Sequence, residues 1–374
     1  MQSVLANLPS RNPSSRGLAS RVKQSARDAG FDLCGIAPVR DFSELQAFPA
    51  WIDGGKHGEM KYLEARDDAG ELKRASLARV APWARSVVVC AINYNTAHPY
   101  STETKDASRG WISRYAWARE DYHDAVLRRL RQMEEDLRGF VAAGDDTTDS
   151  DGFQLRSYVD TGPIVERVYA KYAGIGWIGK NTCIINQKLG SWLFLGVMLT
   201  SIDFGAGAPD LPAADRCGTC TRCIAACPTQ AITAPGVLDA QLCISYLTIE
   251  KRGEIPEALR PGIGRQVYGC DICQDVCPWN RKAPVTSAPE FEAREGLVNP
   301  ALDWLAEMAP EEFREKFRGS PVKRAKLSGI RRNAVIAMGN SADKQFAPTL
   351  AKLASDDDPV VAEHAQWALK QLTS

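Results

Sequence analysis

Eight of the eleven cysteines fall between positions 217 and 277, in two runs that both end in Cys-Pro. The first run has the spacing C-x2-C-x2-C-x3-C-P, and the second has an isolated cysteine followed by C-x2-C-x3-C-P. In proteins with two 4Fe-4S clusters, closely spaced cysteines bind one cluster and the cysteine before the proline binds the other. The spacing therefore predicts a first cluster held by Cys217, Cys220, Cys223 and Cys277, and a second held by Cys227, Cys243, Cys270 and Cys273.

Two other uses of paired cysteines stay open. Paired C-x2-C groups also form tetrahedral zinc sites, although the repeated Cys-Pro ending favours iron-sulfur clusters. Disulfides are less favoured, because the first residues lack the apolar core of a secretory signal and closely spaced cysteines in an intracellular protein usually bind metal. Cys34, Cys90 and Cys183 lie in or beside apolar strands, which predicts small buried side chains.

Asp160 is the candidate proton donor. It ends a strand-like segment and precedes Thr-Gly-Pro, a turn that would fix its orientation. A carboxyl at such a strand end, shielded by a flat cofactor, would have a raised pKa and could donate a proton near neutral pH. A purely structural role as the cap of that turn is the alternative, and both stay open.

Two weaker motifs are interpreted structurally. The glycines at 174, 176 and 179 match G-x-G-x-x-G, but they follow a helix-like segment, so we predict glycine turns and no nucleotide site. The segment at 121–126 nearly matches D-x-H-x-x-G, a motif whose histidine ligates the cobalt of cobalamin. Val126 replaces its glycine within a helical pattern, which predicts that His123 is a surface residue.

The elements that position these residues form three regions. Strands alternate with helices through 17–204, an α/β (α+β) domain in which the apolar run at 86–93 is the buried central strand. The ferredoxin-like two-cluster module follows at 205–288, and 289–374 reads as helical hairpins resembling a short HEAT-like repeat. Residues 1–16 are predicted to be a disordered tail.

Composition narrows the partners. The 46 basic and 46 acidic residues give no net charge, so a nucleic acid would have to bind a local patch. No apolar run approaches the ~20 residues needed to cross a bilayer, and we expect a cytoplasmic protein without membrane contact. One patch candidate exists: residues 314–332 contain eight basic residues and one acid, which predicts either a solvated helix face or a phosphate-binding surface.

Segments along nearly the whole chain resemble the epoxyqueuosine reductase family. The matching segments are 57–60, 113–115, 158–163, 173–176, 179–181, 243–248 and 268–271, together with both cysteine runs. The resemblance implies a cobalamin held between the α/β domain and the cluster module, electrons from an external low-potential donor, and reduction of epoxyqueuosine to queuosine at the tRNA wobble position. A reductive dehalogenase-like enzyme and a non-catalytic ferredoxin-type electron carrier are the alternatives; we expect a monomer.

The same resemblance implies roles for individual residues. Asp160 is similar to the proton donor of the family. The implied cobalamin contacts are Arg74, Asp160, Ile184, Leu195, Ser245, Cys270 and Asp271. The implied tRNA contacts are Lys251, Arg252 and Gly253, joined by Lys323, Arg324, Arg331 and Arg332 of the basic run.

Overall fold

The structure is a computed structural model that describes residues 13–143, 152–205 and 210–373. The strands are β1 (Leu33–Pro38), β2 (Ser86–Asn93), β3 (Trp111–Ile112), β4 (Leu155–Tyr158), β5 (Trp177–Ile178), β6 (Ile184–Ile185), β7 (Leu193–Thr200), β8 (Ile232–Ala234), β9 (Val237–Leu238) and β10 (Gln266–Tyr268). The helices are α1 (Pro13–Asp28), α2 (Ser43–Gln46), α3 (Phe48–Asp53), α4 (Leu77–Val80), α5 (Tyr122–Ala142), α6 (Glu166–Tyr172), α7 (Arg222–Ala226), α8 (Ile244–Ile249), α9 (Arg260–Ile263), α10 (Ile272–Asp275), α11 (Leu302–Ala306), α12 (Pro310–Lys316), α13 (Lys326–Asn340), α14 (Ala347–Leu353) and α15 (Pro359–Thr373).

The predicted disordered tail needs a partial correction. Its first twelve residues lie outside the described residues, but α1 already begins at Pro13, four residues earlier than the predicted start of order. The acidic loop expected near 145–151 also lies outside the described residues.

The N-terminal half is built on a four-stranded sheet in the order β1-β2-β7-β4. Every neighbouring pair in it is antiparallel. The predicted central strand is confirmed, because β2 spans the expected residues and is buried along its whole length. The antiparallel pairing makes this region α+β, whereas strict alternation of helices and parallel strands would give the doubly wound class.

Both faces of β2 are covered because its side chains alternate between them. Val87 and Val89 pack in a core that includes α6 residues, whereas Val88 and Ile92 pack against α1 and α5. Helix α5 presents an apolar stripe to this second core, with Val126, Leu130, Met133, Leu137 and Val141 buried. The sheet is therefore the middle layer of three.

Among its described residues, the cysteine-rich region shares a hydrophobic core with the N-terminal half and the C-terminal helices. Its strand β10 pairs in parallel with β3 from the N-terminal half. One hydrophobic core contains Trp111 and Trp117 together with Tyr268 and residues of the C-terminal helices such as Val335. The boundaries near 204 and 288 remain predictions, and side-chain packing is continuous across both.

The C-terminal region is helical, as predicted. The sequence pattern predicts helices over 322–338 and 346–372. The first is α13, which begins at Lys326 after a 3-10 turn at Pro321–Ala325, and the second segment contains α14 and α15. The HEAT-like character of these helices stays a prediction. No helix in the described ranges combines the length and apolar character needed to span a membrane.

Candidate functional site

A cavity of about 340 Å³ lies between the end of the sheet and the cysteine-rich region. Asp160 and Glu166 line it from the N-terminal half, along with the aromatic rings of Tyr94, Tyr122 and Phe194. The opposite wall contains Cys227, Cys243, Cys270 and Cys273, the four cysteines predicted to hold the second cluster. Carboxyl groups and a set of thiols therefore line one cavity.

Asp160 is held at the cavity in a strained backbone conformation. Its φ of 57° lies in the left-handed region, which is uncommon for a residue other than glycine and occurs often at functional sites. The Tyr122 hydroxyl donates a 2.9 Å hydrogen bond to Oδ2 of Asp160, and Nε2 of His123 lies 4.0 Å from the same oxygen. The Asp160 side chain is 68% exposed, so it is accessible to a ligand in the cavity.

His123 connects Asp160 with a second carboxylate. Its Nδ1 lies 2.8 Å from Oδ1 of Asp121, the residue that also caps α5. Burial lowers the pKa of His123, but the hydrogen bond to Asp121 and the charges of Asp121 and Asp160 outweigh burial and raise the pKa above its usual value. His123 is thus partly exposed, as predicted, but it also belongs to the site.

Glu166 is a functional candidate that sequence reasoning missed. It begins α6, and its Oε1 is buried without a hydrogen-bond partner in the described part of the chain. Burial, with the nearby Asp160 carboxylate, raises the pKa of Glu166 to about 7, although the charge of Arg74 acts against this rise. The cavity wall therefore contains a carboxyl that retains its proton close to neutral pH.

Most of the expected cobalamin contacts line the cavity. Those that do are Asp160, Ile184, Leu195, Ser245 and Cys270. Arg74 is not part of the cavity wall; its Nη1 donates a 3.0 Å hydrogen bond to the carbonyl oxygen of Ile164, in the loop between Asp160 and Glu166.

The prediction for Asp271 is wrong as far as its side chain is concerned. The side chain is 1% exposed and is not part of the cavity lining. Its carboxylate accepts hydrogen bonds from Nε1 of Trp111 at 2.8 Å, from the backbone nitrogen of Arg114 at 2.7 Å and from the hydroxyl of Ser113. Asp271 therefore ties the second cysteine run to the segment after β3.

The cysteines of the first predicted set lie together, away from the cavity. Burial, together with the neighbouring Cys217 and Cys223, raises the pKa of Cys277 to about 11. Burial likewise raises the pKa of Cys223, with Cys217 and Cys220 acting in the same direction. The pKa values of Cys223 and Cys277 are thus influenced by other members of their predicted set.

Burial and neighbouring thiols also raise pKa values in the second set. Burial raises the pKa of Cys270 well above its usual value, and Cys243 and Cys227 add to the effect. Cys183 corrects a prediction, because it is a cavity-lining residue whose side chain hydrogen-bonds to Cys273 and is not merely a small packing residue.

Lys251, Arg252 and Gly253 lie on a turn after α8. Lys251 forms an ion pair with Glu59, and the exposed Arg252 donates hydrogen bonds to the carbonyl oxygens of Ile249 and Arg324. Gly253 has a φ of 63°, a conformation that glycine adopts without strain.

Lys323 and Arg324 belong to the same surface. Lys323 is exposed. Arg324 forms a 2.9 Å ion pair with Glu250, and its guanidinium lies 5.5 Å from the ring centroid of Tyr62. Tyr62 is 48% exposed, so this patch combines positive charge with an accessible aromatic ring.

The prediction that Arg332 contacts tRNA is wrong, and Arg331 is not free to do so. Arg332 is 1% exposed and donates hydrogen bonds to the carbonyl oxygens of Leu247, Lys251 and Gly253. Burial, followed by the charge of Arg252, lowers its pKa to about 10. Arg331 forms an ion pair with Asp356 and donates a hydrogen bond to the carbonyl oxygen of Ala306. Both arginines are structural.

Two family models match parts of the chain. Residues 216–280 match the family model described as 4Fe-4S double cluster binding domain. The fold and the two cysteine sets thus define an iron-sulfur protein with a double cluster. Residues 74–161 match the model described as Epoxyqueuosine reductase QueG, DUF1730.

Full-length relatives identify the family. The chain is 39% identical to the epoxyqueuosine reductase of Vibrio cholerae, over 95% of this chain and 92% of that one. It is 37% identical to that of Xanthomonas campestris, over 99% of both chains. The chain therefore belongs to the epoxyqueuosine reductase family, and the dehalogenase-like and electron-carrier alternatives are set aside.

Solved structures of the family have the same fold. An epoxyqueuosine reductase solved with a tRNA-Tyr epoxyqueuosine-modified stem loop has a TM-score of 0.82 at 32% identity, covering 96% of this chain and 91% of that one. The Bacillus subtilis enzyme, solved with an aspartate-containing catalytic loop swung out of the active site, has a TM-score of 0.81 at 31% identity with the same coverage.

The residues present fit iron-sulfur clusters. Burial and neighbouring thiols raise the pKa of Cys270 in one group of four and of Cys277 in the other, and bound iron would displace such thiol protons. The match of residues 216–280 to a 4Fe-4S double cluster model favours iron-sulfur clusters over zinc at these cysteines. The cavity also fits cobalamin, because its aromatic walls suit a flat macrocycle and the orphaned Oε1 of Glu166 could bind one of its amide groups.

Proposed function

We propose that this chain reduces epoxyqueuosine to queuosine at the wobble position of tRNA, with cobalamin bound in the cavity and two 4Fe-4S clusters in the cysteine-rich region. The observation that carries the proposal is the cavity, where Asp160 and the second cysteine set line the same space. Family membership supports the reaction, and the relative solved with a modified stem loop supports the substrate.

The arrangement of the cysteines suggests a direction for electrons. Loss of the epoxide oxygen as water consumes two electrons and two protons. Residues 214–222 around the first cysteine set are largely exposed, whereas all four cysteines of the second set line the cavity. An external low-potential donor would therefore reduce the protein at the first set, and electrons would enter the cavity from the second.

Five residues would hold cobalamin through the cavity wall: Asp160, Ile184, Leu195, Ser245 and Glu166. When bound, cobalamin supplies the low-potential reductant that opens the epoxide, chemistry that no side chain can supply. The rings of Tyr94, Tyr122 and Phe194 line the same space and would pack against the macrocycle.

Asp160 is the proposed proton donor to the oxygen of the opening epoxide. The Tyr122 hydroxyl fixes the position of its carboxyl through the 2.9 Å hydrogen bond. His123, whose raised pKa keeps it protonated to higher pH, lies 4.0 Å from the same carboxyl oxygen and would have to move closer to return a proton to Asp160. The B. subtilis relative with a displaced catalytic aspartate loop supports a catalytic role for the equivalent strained loop here.

The tRNA would be held by the patch formed by Tyr62, Lys251, Arg252, Lys323 and Arg324. The Asp160 carboxylate contributes, after burial and Glu250, to raising the pKa of Tyr62. Tyr62 is therefore within electrostatic reach of the cavity. Exposed cations bind phosphates, and an exposed ring can stack on an unpaired base of the anticodon loop. Gly253 would shape the turn that follows Arg252, where its carbonyl oxygen accepts a hydrogen bond from the buried Arg332.

The test is an anaerobic assay with reconstituted protein, cobalamin, a low-potential reductant and tRNA carrying epoxyqueuosine. Mass analysis of the nucleosides should show the loss of one oxygen, dependent on cobalamin. Asp160→Asn should lower the rate by at least ~100-fold while cluster content and cobalamin binding stay unchanged. An Asp160→Asn variant that reduces the nucleoside at the wild-type rate would refute the proton-donor role.

Three further features belong to the same proposal. They are a cytoplasmic location, a monomeric state and the absence of membrane contact. Sedimentation of the purified protein with and without a tRNA stem loop would test the monomer directly.

A further inference from the structure

The segment at 177–180 reaches across to the loop that contains the first cysteine set. The indole Nε1 of Trp177 donates a 3.4 Å hydrogen bond to Sγ of Cys217. The ammonium of Lys180 donates to the carbonyl oxygens of Gly218 at 2.7 Å and Cys220 at 2.9 Å. Two side chains from the α+β half thus contact the sulfur and the backbone of one cluster-binding loop.

The glycine-rich motif explains how this segment is positioned. Strand β5 pairs with β6, with Trp177 opposite Ile185. A Cβ atom at Gly176 would lie 2.4 Å from the carbonyl oxygen of Ile185, so only glycine permits this close approach. The motif at 174–179 therefore builds a tight hairpin that carries Trp177 and Lys180, in agreement with the predicted glycine turns.

Trp177 differs from the other donors around these cysteines. Backbone nitrogens of Ile224 and Trp279 donate to Cys223 and Cys277. In the described ranges, Trp177 is the one side chain that donates to a sulfur of the first set. Its ring is 2% exposed and packs edge-to-face against Trp279 at 5.1 Å between centroids, which fixes the direction of the N–H group.

A hydrogen bond to a cysteine sulfur and a nearby positive charge both favour the reduced form of a cluster, because reduction adds a negative charge. Burial of Trp177 strengthens the effect, since the N–H dipole acts where water cannot screen it. The carbonyl oxygens that Lys180 contacts belong to the same loop, so its charge is held close to the cluster site.

We propose that Trp177 and Lys180 are positioning residues that set the reduction potential of the first cluster, above the value its cysteines would otherwise give. The inference rests on the double cluster of the proposed function and adds a role for residues outside the cysteine motifs. A higher potential at the first set favours uptake of each electron from the external donor, before transfer to the second set at the cavity.

The experiment is a redox titration of the full-length, cluster-reconstituted protein, followed by electron paramagnetic resonance without cobalamin or tRNA. Trp177→Phe retains the packed ring but removes the donor, and should lower the equilibrium constant for reducing one cluster about tenfold, or about 59 mV. Lys180→Met should lower the reduction potential of the same cluster. Lys180→Arg, which keeps the positive charge, should retain the wild-type potential. The second cluster should keep its potential.

Two matched controls test whether the shifts are specific to this site. Trp304→Phe removes an indole N–H group that donates to Glu312 in the C-terminal region. Lys344→Met removes an exposed charge from the same region. Both controls should leave the potential of each cluster unchanged.

The outcomes distinguish this inference from the proposed function. Two intact clusters with wild-type potentials in Trp177→Phe and Lys180→Met would refute the inference alone. Loss of iron with no shift in the remaining signal would also refute it, because that result describes a purely structural role. A reconstituted wild-type protein without two clusters would refute the proposed function and, with it, the inference.

Discussion

Replacing Glu166 by glutamine should remove a pH-dependent part of the stability of the protein. In the folded chain burial raises the pKa of Glu166 from its ordinary value of 4.5 to about 7. The folded state therefore binds this proton more tightly than the unfolded state does. The resulting stabilisation is fully present below the ordinary pKa and is lost as the pH rises through the raised value.

The magnitude follows from the two pKa values. The difference between 4.5 and about 7 corresponds to about 3 kcal/mol in the free energy of unfolding. Of this, about 2 kcal/mol should be lost between about pH 5.5 and about pH 8.5. Glutamine does not titrate, so Glu166→Gln should match the wild type at the acidic end and become the more stable protein at the alkaline end.

The assay is urea unfolding of the cluster-reconstituted, cobalamin-free protein under anaerobic conditions across this pH range. The difference between variant and wild type at each pH cancels the contributions of the other titrating groups. Glu135→Gln is the matched control, because Glu135 is an exposed residue of α5 and its replacement should give a constant difference. In Asp160→Asn the divergence should begin at lower pH, since the Asp160 charge helps to raise the pKa of Glu166.

A constant difference between Glu166→Gln and the wild type over the whole range would refute the reasoning. It would mean that Glu166 is ionised in the folded protein and that its Oε1 reaches water. The cavity wall would then lack the proton-bearing group to which we assign a contact with a cofactor amide.

The remaining predictions separate buried from exposed basic residues. Arg332→Met should lower the free energy of unfolding by about 3 kcal/mol in urea unfolding, because buried carbonyl oxygens lose their donor; a variant as stable as the wild type would contradict the structural role. Lys323→Ala should leave stability unchanged and reduce the slope of log affinity for tRNA against log salt concentration by about 1, so an unchanged slope would remove Lys323 from the tRNA surface.

The cysteine sets show what spacing can predict. Ligand spacing is a local property, and the two cysteine runs match the residues of the double-cluster family model. The same holds for β2 and for α5, where apolar residues recur at helical spacing from Tyr122 to Val141. For these two elements the signal lies within about twenty consecutive residues, as periodicity requires.

Burial of polar residues could not be predicted in the same way. Arg332 and Lys323 stand in one basic run, and only the packing of α13 against the turn after α8 makes the first internal. Asp271 follows the predicted cluster ligand Cys270. Its carboxylate nevertheless accepts hydrogen bonds from Trp111 and Ser113, more than 150 residues earlier in the chain. Glu166 carried no spacing signal, although it lies in the same segment as Asp160.

Two hydrogen bonds connect the cavity to the surface proposed for tRNA. The hydroxyl of Tyr115, a cavity-lining residue, donates to the hydroxyl of Tyr268 at 2.9 Å, and Tyr268 donates to the carbonyl oxygen of Pro321 at 2.7 Å. Pro321 begins the 3-10 turn that contains Lys323 and Arg324. The wall near Asp160 and the base of the cationic turn are therefore parts of one buried network. Because such a network holds its members in fixed positions, contact with the anticodon backbone would also fix the distance between the wobble base and the proton donor.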